Sequence, residues 1–226
     1  VKSREEKLIE YISKCGSLAI AFSGGTDSTV LAKAASLALP AKKVLLVHID
    51  SVFVPEDERF FAREWAAKNC IPLEVIKIDP LKEKKIVENG RKRCYHCKKV
   101  LMGKVIELAH ERGIENVADG LNKDDLNDYR PGIKASDELG IKHPLLEAGL
   151  NKQEVRMLSE KWKLPNWNTP ASACLASRIP YNSVITVEKL KMVDAAEHFL
   201  RKLGFAGCRV RYYSGSAKIE VSGTDL

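Results

Sequence analysis

Ala19-Ile20-Ala21-Phe22-Ser23-Gly24-Gly25-Thr26-Asp27-Ser28 begins as an apolar run of strand type, breaks at Ser-Gly-Gly, and continues from Asp27 as a helix through Ala38. Leu31, Ala34, Ala35 and Leu37 supply the apolar positions of that helix. Strand, glycine turn and helix together present backbone N–H groups to an anion. The glycines permit close approach and positive φ, and the unpaired N–H groups of the first helical turn favour phosphate. Ser23 and Ser28 add hydroxyls, and Asp27 suits a magnesium ion carried with the phosphates. No Gly-x4-Gly-Lys-Ser/Thr run is present, and the dinucleotide fingerprint Gly-x-Gly-x-x-Gly is missing here.

Working outward, strands and helices alternate. Residues 18–22, 43–50, 72–79 and 115–120 read as strands, and 142–146 as a last one. Residues 2–13, 55–69, 94–112, 131–139 and 151–163 read as helices, with Asn151 as a cap. This alternation predicts an α/β fold with a parallel, helix-flanked sheet. Residues 80–93 are charged and weakly periodic. Residues 164–182 are long and irregular, a pattern associated with functional loops, and Trp162 and Trp167 argue against disorder. A helix over 186–203 and a hairpin of strands 208–213 and 217–222 close the chain as a small α+β unit. The expected organisation is a nucleotide-binding domain over 1–164, an active-site loop and linker over 165–185, and a small C-terminal substrate-binding domain over 186–226.

The 226 residues suffice for such a pair of units. No apolar run approaches a membrane span. The N-terminal residues 1–11 are charged and amphipathic, unlike a signal peptide, so a cytoplasmic location is expected. A net charge of +7 suits an anionic ligand.

Disulfides are not expected among six cysteines in a cytoplasmic chain. Cys15, Cys70 and Cys208 read as small, partly buried apolar residues. Cys94-Tyr95-His96-Cys97 opens a helix amid Arg91-Lys92-Arg93 and Lys98-Lys99. Two thiols at this spacing hold a metal or cluster, form a redox pair, or merely pack. A structural zinc site wants four ligands, and only one pair is present. With Cys174 the thiols number three, a set suited to a [4Fe–4S] cluster with one open iron. Cys174 near Arg178 also reads as a nucleophile or sulfur donor. Arg209 and Arg211 alternate along a strand and share a face, for a phosphate or carboxylate or for solvent, with Glu197 and Glu220 as available partners. Asp119, Asn122, Asp124 and Asp125 either position magnesium and ATP or form a capped, solvated loop. His48 reads as a core histidine, and His110, His143 and His198 give no constellation.

Ser23-Gly24-Gly25-Thr26-Asp27-Ser28 after an apolar strand resembles the pyrophosphate loop of the N-type ATP pyrophosphatases. Further matching pieces are Arg93-Cys94-Tyr95-His96-Cys97-Lys98, Asp119-Gly120-Leu121-Asn122-Lys123-Asp124-Asp125 and Asp128-Tyr129-Arg130-Pro131-Gly132. Pro144-Leu145-Leu146-Glu147-Ala148-Gly149-Leu150, Ala173-Cys174-Leu175-Ala176-Ser177-Arg178-Ile179-Pro180-Tyr181 and Arg209-Val210-Arg211 follow in order. Together they resemble the LarE-type ATP-dependent sulfur transferases of nickel-pincer nucleotide cofactor synthesis. That resemblance implies adenylation of the carboxylates of pyridinium-3,5-biscarboxylic acid mononucleotide, with pyrophosphate released, and displacement of AMP by sulfur. It implies that Ser23 to Ser28, Asp119 and Asn122 bind ATP with magnesium. Asp27, Cys174 and Arg178 would take catalytic roles, and Ser177, Arg178, Arg209 and Arg211 would hold substrate.

The family divides by sulfur source, a single sacrificial cysteine at the position of Cys174 or a [4Fe–4S] cluster on three cysteines. Cys94, Cys97 and Cys174 imply the cluster type, with a sulfide source as partner. Members continue past the hairpin into a further helix and a Gly/Ser-rich segment, so the resemblance implies an incomplete C-terminal unit. The runner-up is a cluster-dependent tRNA thiolase, although no RNA-binding appendage or clustered stacking aromatics are evident. An amidotransferase or nucleotide synthetase leaves the three cysteines unexplained, and a non-catalytic nucleotide-binding module is the remaining class. A homo-oligomer is compatible with the sequence.

Overall fold

The structure, a computed structural model, describes residues 2–127, 130–170 and 173–221. Asp128 and Tyr129 of the quoted motif, and Ser222 at the end of the expected hairpin, lie outside the described residues.

Helix α1 (Arg4–Cys15) starts in a capping box in which Ser3 accepts from the Glu6 backbone and Glu6 reaches back to Ser3. Such a cap is worth about 1 kcal/mol. Strand β1 (Leu18–Ala21) leads through the glycine turn into α2 (Thr26–Ala38). Then come β2 (Val44–Asp50), α3 (Glu56–Lys68), β3 (Leu73–Lys77), the single turn α4 (Lys84–Val87) and α5 (Arg93–Glu111). Strand β4 (Val117–Ala118) follows, then α6 (Pro131–Glu138), α7 (Pro144–Glu147), α8 (Lys152–Lys161) and α9 (Val187–Lys202). The antiparallel hairpin of β5 (Arg209–Tyr213) and β6 (Ser216–Glu220) closes the described chain, turning at Gly215, which has φ +81°.

The main sheet is parallel, in the order β3-β2-β1-β4. Its central strands are covered on both faces, which is why they read as continuous apolar runs. Leu18, Ile20, Phe22 and Leu46 pack toward α1, α2 and α8, while Ala19, Leu45 and Val47 pack on Met102, Val105 and Ala109 of α5. The chain moves outward from β1 in one direction to β2 and β3 and in the other to β4. The carboxyl ends of β1 and β4 therefore flank a topological switch point, where such sheets bind ligands.

A third cluster joins Phe53 and Ile86 to Leu175, Ala176 and Ile179 of the irregular stretch and to Leu190 and Val193 of α9. Cys174 is thus mounted on a packed base. Among the described residues no helix is long and apolar enough to cross a membrane.

Two expectations are corrected. Residues 142–146 do not form a strand. Lys142 makes one parallel bridge to Ala118, and Pro144, which has no N–H to give to a ladder and a φ suited to a first helical position, starts α7 instead. Cys70 is exposed, not partly buried, and sits past the end of α3 with φ +53°. Residues 80–93, weakly periodic in sequence, form a capped turn at Pro80–Lys82 followed by α4.

Candidate active site

The loop after β1 is held open by specific contacts. Gly24 has φ +84°, and a Cβ there would lie 3.0 Å from Phe61 Cδ1, so a larger residue would be strained in its backbone and would press on Phe61. Gly25 caps α2 without any side-chain bond to the first turn, which leaves that turn without a side-chain acceptor. Ser23 Oγ accepts from Gly25 N at 3.2 Å and lies 3.2 Å from Ser28 Oγ. From the far end of the domain, buried Asn166 donates to Gly24 O at 2.8 Å and to Thr29 Oγ1 at 2.9 Å, and Thr26 Oγ1 donates to Asn166 O at 2.9 Å. Residues after α8 therefore lash the loop in place.

Asp27 points from the first turn of α2 toward two partners. Lys152 Nζ, from the first turn of α8, pairs with Oδ2, and Asn122 Nδ2 approaches Oδ1 at 3.4 Å. Lys152 is fixed in turn by its own N–H, which donates to Asp124 Oδ2 at 2.9 Å. Gly120 lets the end of β4 press on this turn: a Cβ there would stand 3.0 Å from Ser28 N and 3.1 Å from the Asp27 backbone.

Asp119 is buried and fully engaged. Its carboxylate accepts from Lys98 Nζ at 2.8 Å, His143 Nδ1 at 2.7 Å, Ser136 Oγ at 3.3 Å and Leu121 N at 3.2 Å. Burial alone would raise the carboxyl, but Lys98 and His143 outweigh it and hold it well below the carboxylate range. Burial likewise opposes the charged form of His143, and bonds to Asp119 and Asp137 reverse this and raise its pKa. The histidine thus belongs to a constellation after all, contrary to the sequence reading.

A raised histidine stabilises fully below its unfolded value of 6.5 and loses that contribution as pH rises through the folded value. A depressed aspartate contributes above its unfolded value of 3.8 and loses the contribution as pH falls through the folded one. The pair therefore stabilises most between those two unfolded values. Thermal unfolding across pH is expected to show that His143→Gln loses most Tm near pH 5 and progressively less above neutrality. An equal loss at all pH values would contradict the charged pair.

The three thiols meet at the start of α5. Cys94 and Cys97 occupy its first turn and are half-buried, while Cys174 precedes the short turn Leu175–Arg178 and retains solvent access. Burial, then the Cys174 and Cys94 sulfurs, push the Cys97 thiol up to about 12. Cys174 is also raised, by the protein atoms crowding it, with Arg93 acting in the opposite sense. Arg93 is the buried cation of this cluster. Nη1 donates to Ala176 O at 2.8 Å and to Asn89 Oδ1, and Nη2 donates to Cys94 Sγ at 3.4 Å. Among the described residues no three His, Cys, Asp or Glu side chains are gathered for a single metal ion. Cys94 and Cys97 on one stretch of α5, with Cys174 on the neighbouring loop, supply three thiols, the donor type by which iron–sulfur clusters are held.

Beside the thiols lies a cavity of about 270 Å³, lined by Arg93, Ser177, Arg178, Tyr181, Arg211 and Tyr213 among others. Arg178 is committed elsewhere. Its Nε and Nη2 hold both oxygens of buried Glu197 at 2.8 and 2.9 Å, and Nη1 donates to Ala173 O, Cys174 O and Ser177 Oγ. It clamps the Cys174 loop to α9. Arg211 Nε donates to Glu220 at 2.8 Å and its Nη1 to Ser177 O at 3.3 Å, so of the two acidic partners expected for the strand arginines Glu220 takes Arg211, while Glu197 takes Arg178. Arg209 is half-buried at the start of β5.

No family model matches the chain. It is 34% identical over 219 residues, 97% of this chain and 79% of the relative, to the pyridinium-3,5-bisthiocarboxylic acid mononucleotide synthase of Lactiplantibacillus plantarum. The chain belongs to the LarE-type sulfur transferase family. It is also similar to uncharacterized proteins of Synechocystis (39% identical over 98% of this chain and 82% of the relative) and of Methanocaldococcus jannaschii (32% over 89% and 76%).

Two residues of this LarE-type chain to which the sequence reading gave no role, Lys152 and Asn166, now stand in the site, together with Lys98, quoted there only as part of a motif, and His143, read there as isolated. Lys152 follows the capping residue Asn151, and that position inside a helix start was the one local sign available. Asn166 sits between Pro165 and Trp167 without any pattern marking it.

Proposed function

We propose that the protein is an ATP-dependent sulfur transferase that converts carboxylates of pyridinium-3,5-biscarboxylic acid mononucleotide to thiocarboxylates in nickel-pincer cofactor synthesis. The observation that carries this reading is the pairing, in one LarE-type chain, of a glycine phosphate loop with a thiol trio beside a cationic cavity.

Ser23 to Ser28 cradle the ATP phosphates through backbone N–H groups and the two hydroxyls. Asp27, which keeps 26% of its side chain exposed, takes the magnesium ion carried with the nucleotide, and Lys152 and Asn122 stand beside it. Asp119 braces the wall of the site through Lys98 and His143. Ser177, Arg211 and Arg93, which line the first cavity, would hold the anionic substrate, and Arg209, on the same strand as Arg211, is outside that lining.

A substrate carboxylate oxygen attacks the α-phosphorus of ATP. The bond from that phosphorus to the bridging oxygen breaks, and pyrophosphate leaves. Sulfide then attacks the acyl carbon, the bond to AMP breaks, and a thiocarboxylate forms with loss of the sulfide proton. Adenylation is needed because carboxylate oxygen is a poor leaving group and AMP a good one.

Cys94, Cys97 and Cys174 would hold a [4Fe–4S] cluster, which supplies an open iron for sulfide. Arg93, buried against Cys94, offsets the negative charge of the thiolates, and Arg178 fixes the loop that carries Cys174. The test is iron and acid-labile sulfide per chain after anaerobic purification. About four irons are expected, lost in Cys94→Ala, Cys97→Ala and Cys174→Ala alike. Zinc in place of iron would contradict the cluster.

A further inference from the structure

A second cavity, of about 350 Å³, shares Arg93 with the first. Its lining includes Lys85, Glu88, Lys92, Arg93, His96 and Asn182. Three of these are fixed cations, and Glu88, the one anion, lies 3.8 Å from Lys84 Nζ. Lys85 and Lys92 are exposed at the rim, while Arg93 is buried at the wall. A concave, cation-lined surface concentrates anions.

The two cavities differ in kind. The first carries Tyr181 and Tyr213, rings able to face a pyridinium, and Arg93 lies 5.8 Å from the Tyr181 ring. The second has no aromatic lining except the imidazole of His96, and three of its side-chain donors, Lys85, Lys92 and Arg93, are cations beside Asn182 and His96. That lining offers charge without a ring to stack on, which suits a small anion.

The wall between them is built. Asn89, buried with φ +55°, donates to Ile179 O at 3.2 Å and Pro180 O at 2.8 Å and accepts from Arg93 Nη1. Asn182 N donates back to Asn89 O at 3.0 Å. This knot ties the start of α5 to the Cys174 loop, and Arg93, itself buried, contributes to the lining of both cavities. Its Nη2 donates to Cys94 Sγ at 3.4 Å, which places the thiol next to this shared wall.

We propose that the second cavity is the entry site for the sulfur donor, a small sulfur anion such as hydrosulfide, delivered to the thiol cluster past Arg93 and His96 rather than through the cavity that takes the pyridinium substrate. The proposal rests on the sulfur-transfer reading above. It separates the two reactants: the adenylated carboxylate is held in the first cavity, and sulfide arrives past Lys85, Lys92 and His96 without crossing it.

The test uses the anaerobically purified holoprotein and a Lys85→Glu/Lys92→Glu double variant, both positions being exposed. With ATP and the dicarboxylate saturating, hydrosulfide is varied. The KM for hydrosulfide is expected to rise about tenfold or more, while the KM values for ATP and dicarboxylate stay near the parent's. Lys85→Arg/Lys92→Arg is expected to restore parent behaviour. An unchanged KM for hydrosulfide would overturn the proposal. Crystals of the parent soaked in sodium bromide read the cavity independently of turnover. An anomalous peak beside Lys85, Lys92 and Arg93, lost in the double glutamate variant, is expected, and its absence from the parent would overturn the anion site. Failure of the parent to form AMP with the dicarboxylate would instead overturn the sulfur-transfer reading, and the bromide map would still judge the cavity.

Discussion

Replacing Arg178 by methionine is expected to lower stability by about 3–5 kcal/mol, the cost of stranding a buried partner charge. Arg178 and Glu197 retain only 4% and 1% side-chain exposure. Without the guanidinium, Glu197 keeps the Val210 N–H at 2.9 Å and the more distant Arg201 Nη1 at 3.6 Å, neither of which replaces a bidentate pair. The same deletion takes the Arg178 donor from the Ala173 carbonyl and, among the described residues, leaves Cys174 O with only the Ser177 N–H at 2.9 Å. Urea unfolding at neutral pH measures the loss as a fall in midpoint at constant slope. The double variant Arg178→Met/Glu197→Leu is expected to recover much of it, because removing both charges also removes the desolvation cost. A single-variant loss below about 1 kcal/mol, the range of surface pairs, would contradict a buried clamp.

Cys174→Ala is expected to separate the two halves of the reaction. In the proposed reaction adenylation would draw on the phosphate loop, Asp27 and Lys152 but not on the thiols, so AMP and pyrophosphate should still form with the dicarboxylate. Thiocarboxylate should fall at least about a thousandfold, the scale seen when a residue carrying the covalent step is removed. On the cluster reading Cys94→Ala and Cys97→Ala should behave alike, because loss of any one ligand would remove the same cluster. If Cys174→Ala alone abolished sulfur transfer, and parent Cys174 became dehydroalanine after one turnover, the cysteine itself would be the donor and the cluster assignment would fall.

What was legible in the sequence was local. The glycine loop could be read because φ +84° at Gly24 and the bare first turn of α2 are set by consecutive residues. Cys94 and Cys97 share a helical turn, so their proximity follows from spacing. The parallel sheet followed from apolar runs buried on both faces. What escaped was long-range. Lys152 reaches Asp27 across 125 residues, and Asn166 reaches Gly24 across 142, with no periodicity to announce either contact. His143 looked isolated because its partner Asp119 lies on another element, 24 residues away. Arg178 read as a substrate-facing cation, yet its donors are taken by Glu197 and the Cys174 loop. A guanidinium's commitments depend on which acid the tertiary fold buries against it. The strand expected at residues 142–146 failed for a local reason, since Pro144 outweighed the apolar residues that follow it.

The most direct measurement is the ratio of AMP released to carbon–sulfur bonds formed. Anaerobically purified protein would be given ATP, magnesium, hydrosulfide and pyridinium-3,5-biscarboxylic acid mononucleotide, with nucleotide and pyridinium products quantified together. One AMP and one pyrophosphate per thiocarboxylate, over repeated turnovers, is the expected result. ATP consumption without sulfur in the pyridinium product, or sulfur incorporation without AMP, would contradict an adenylating sulfur transferase.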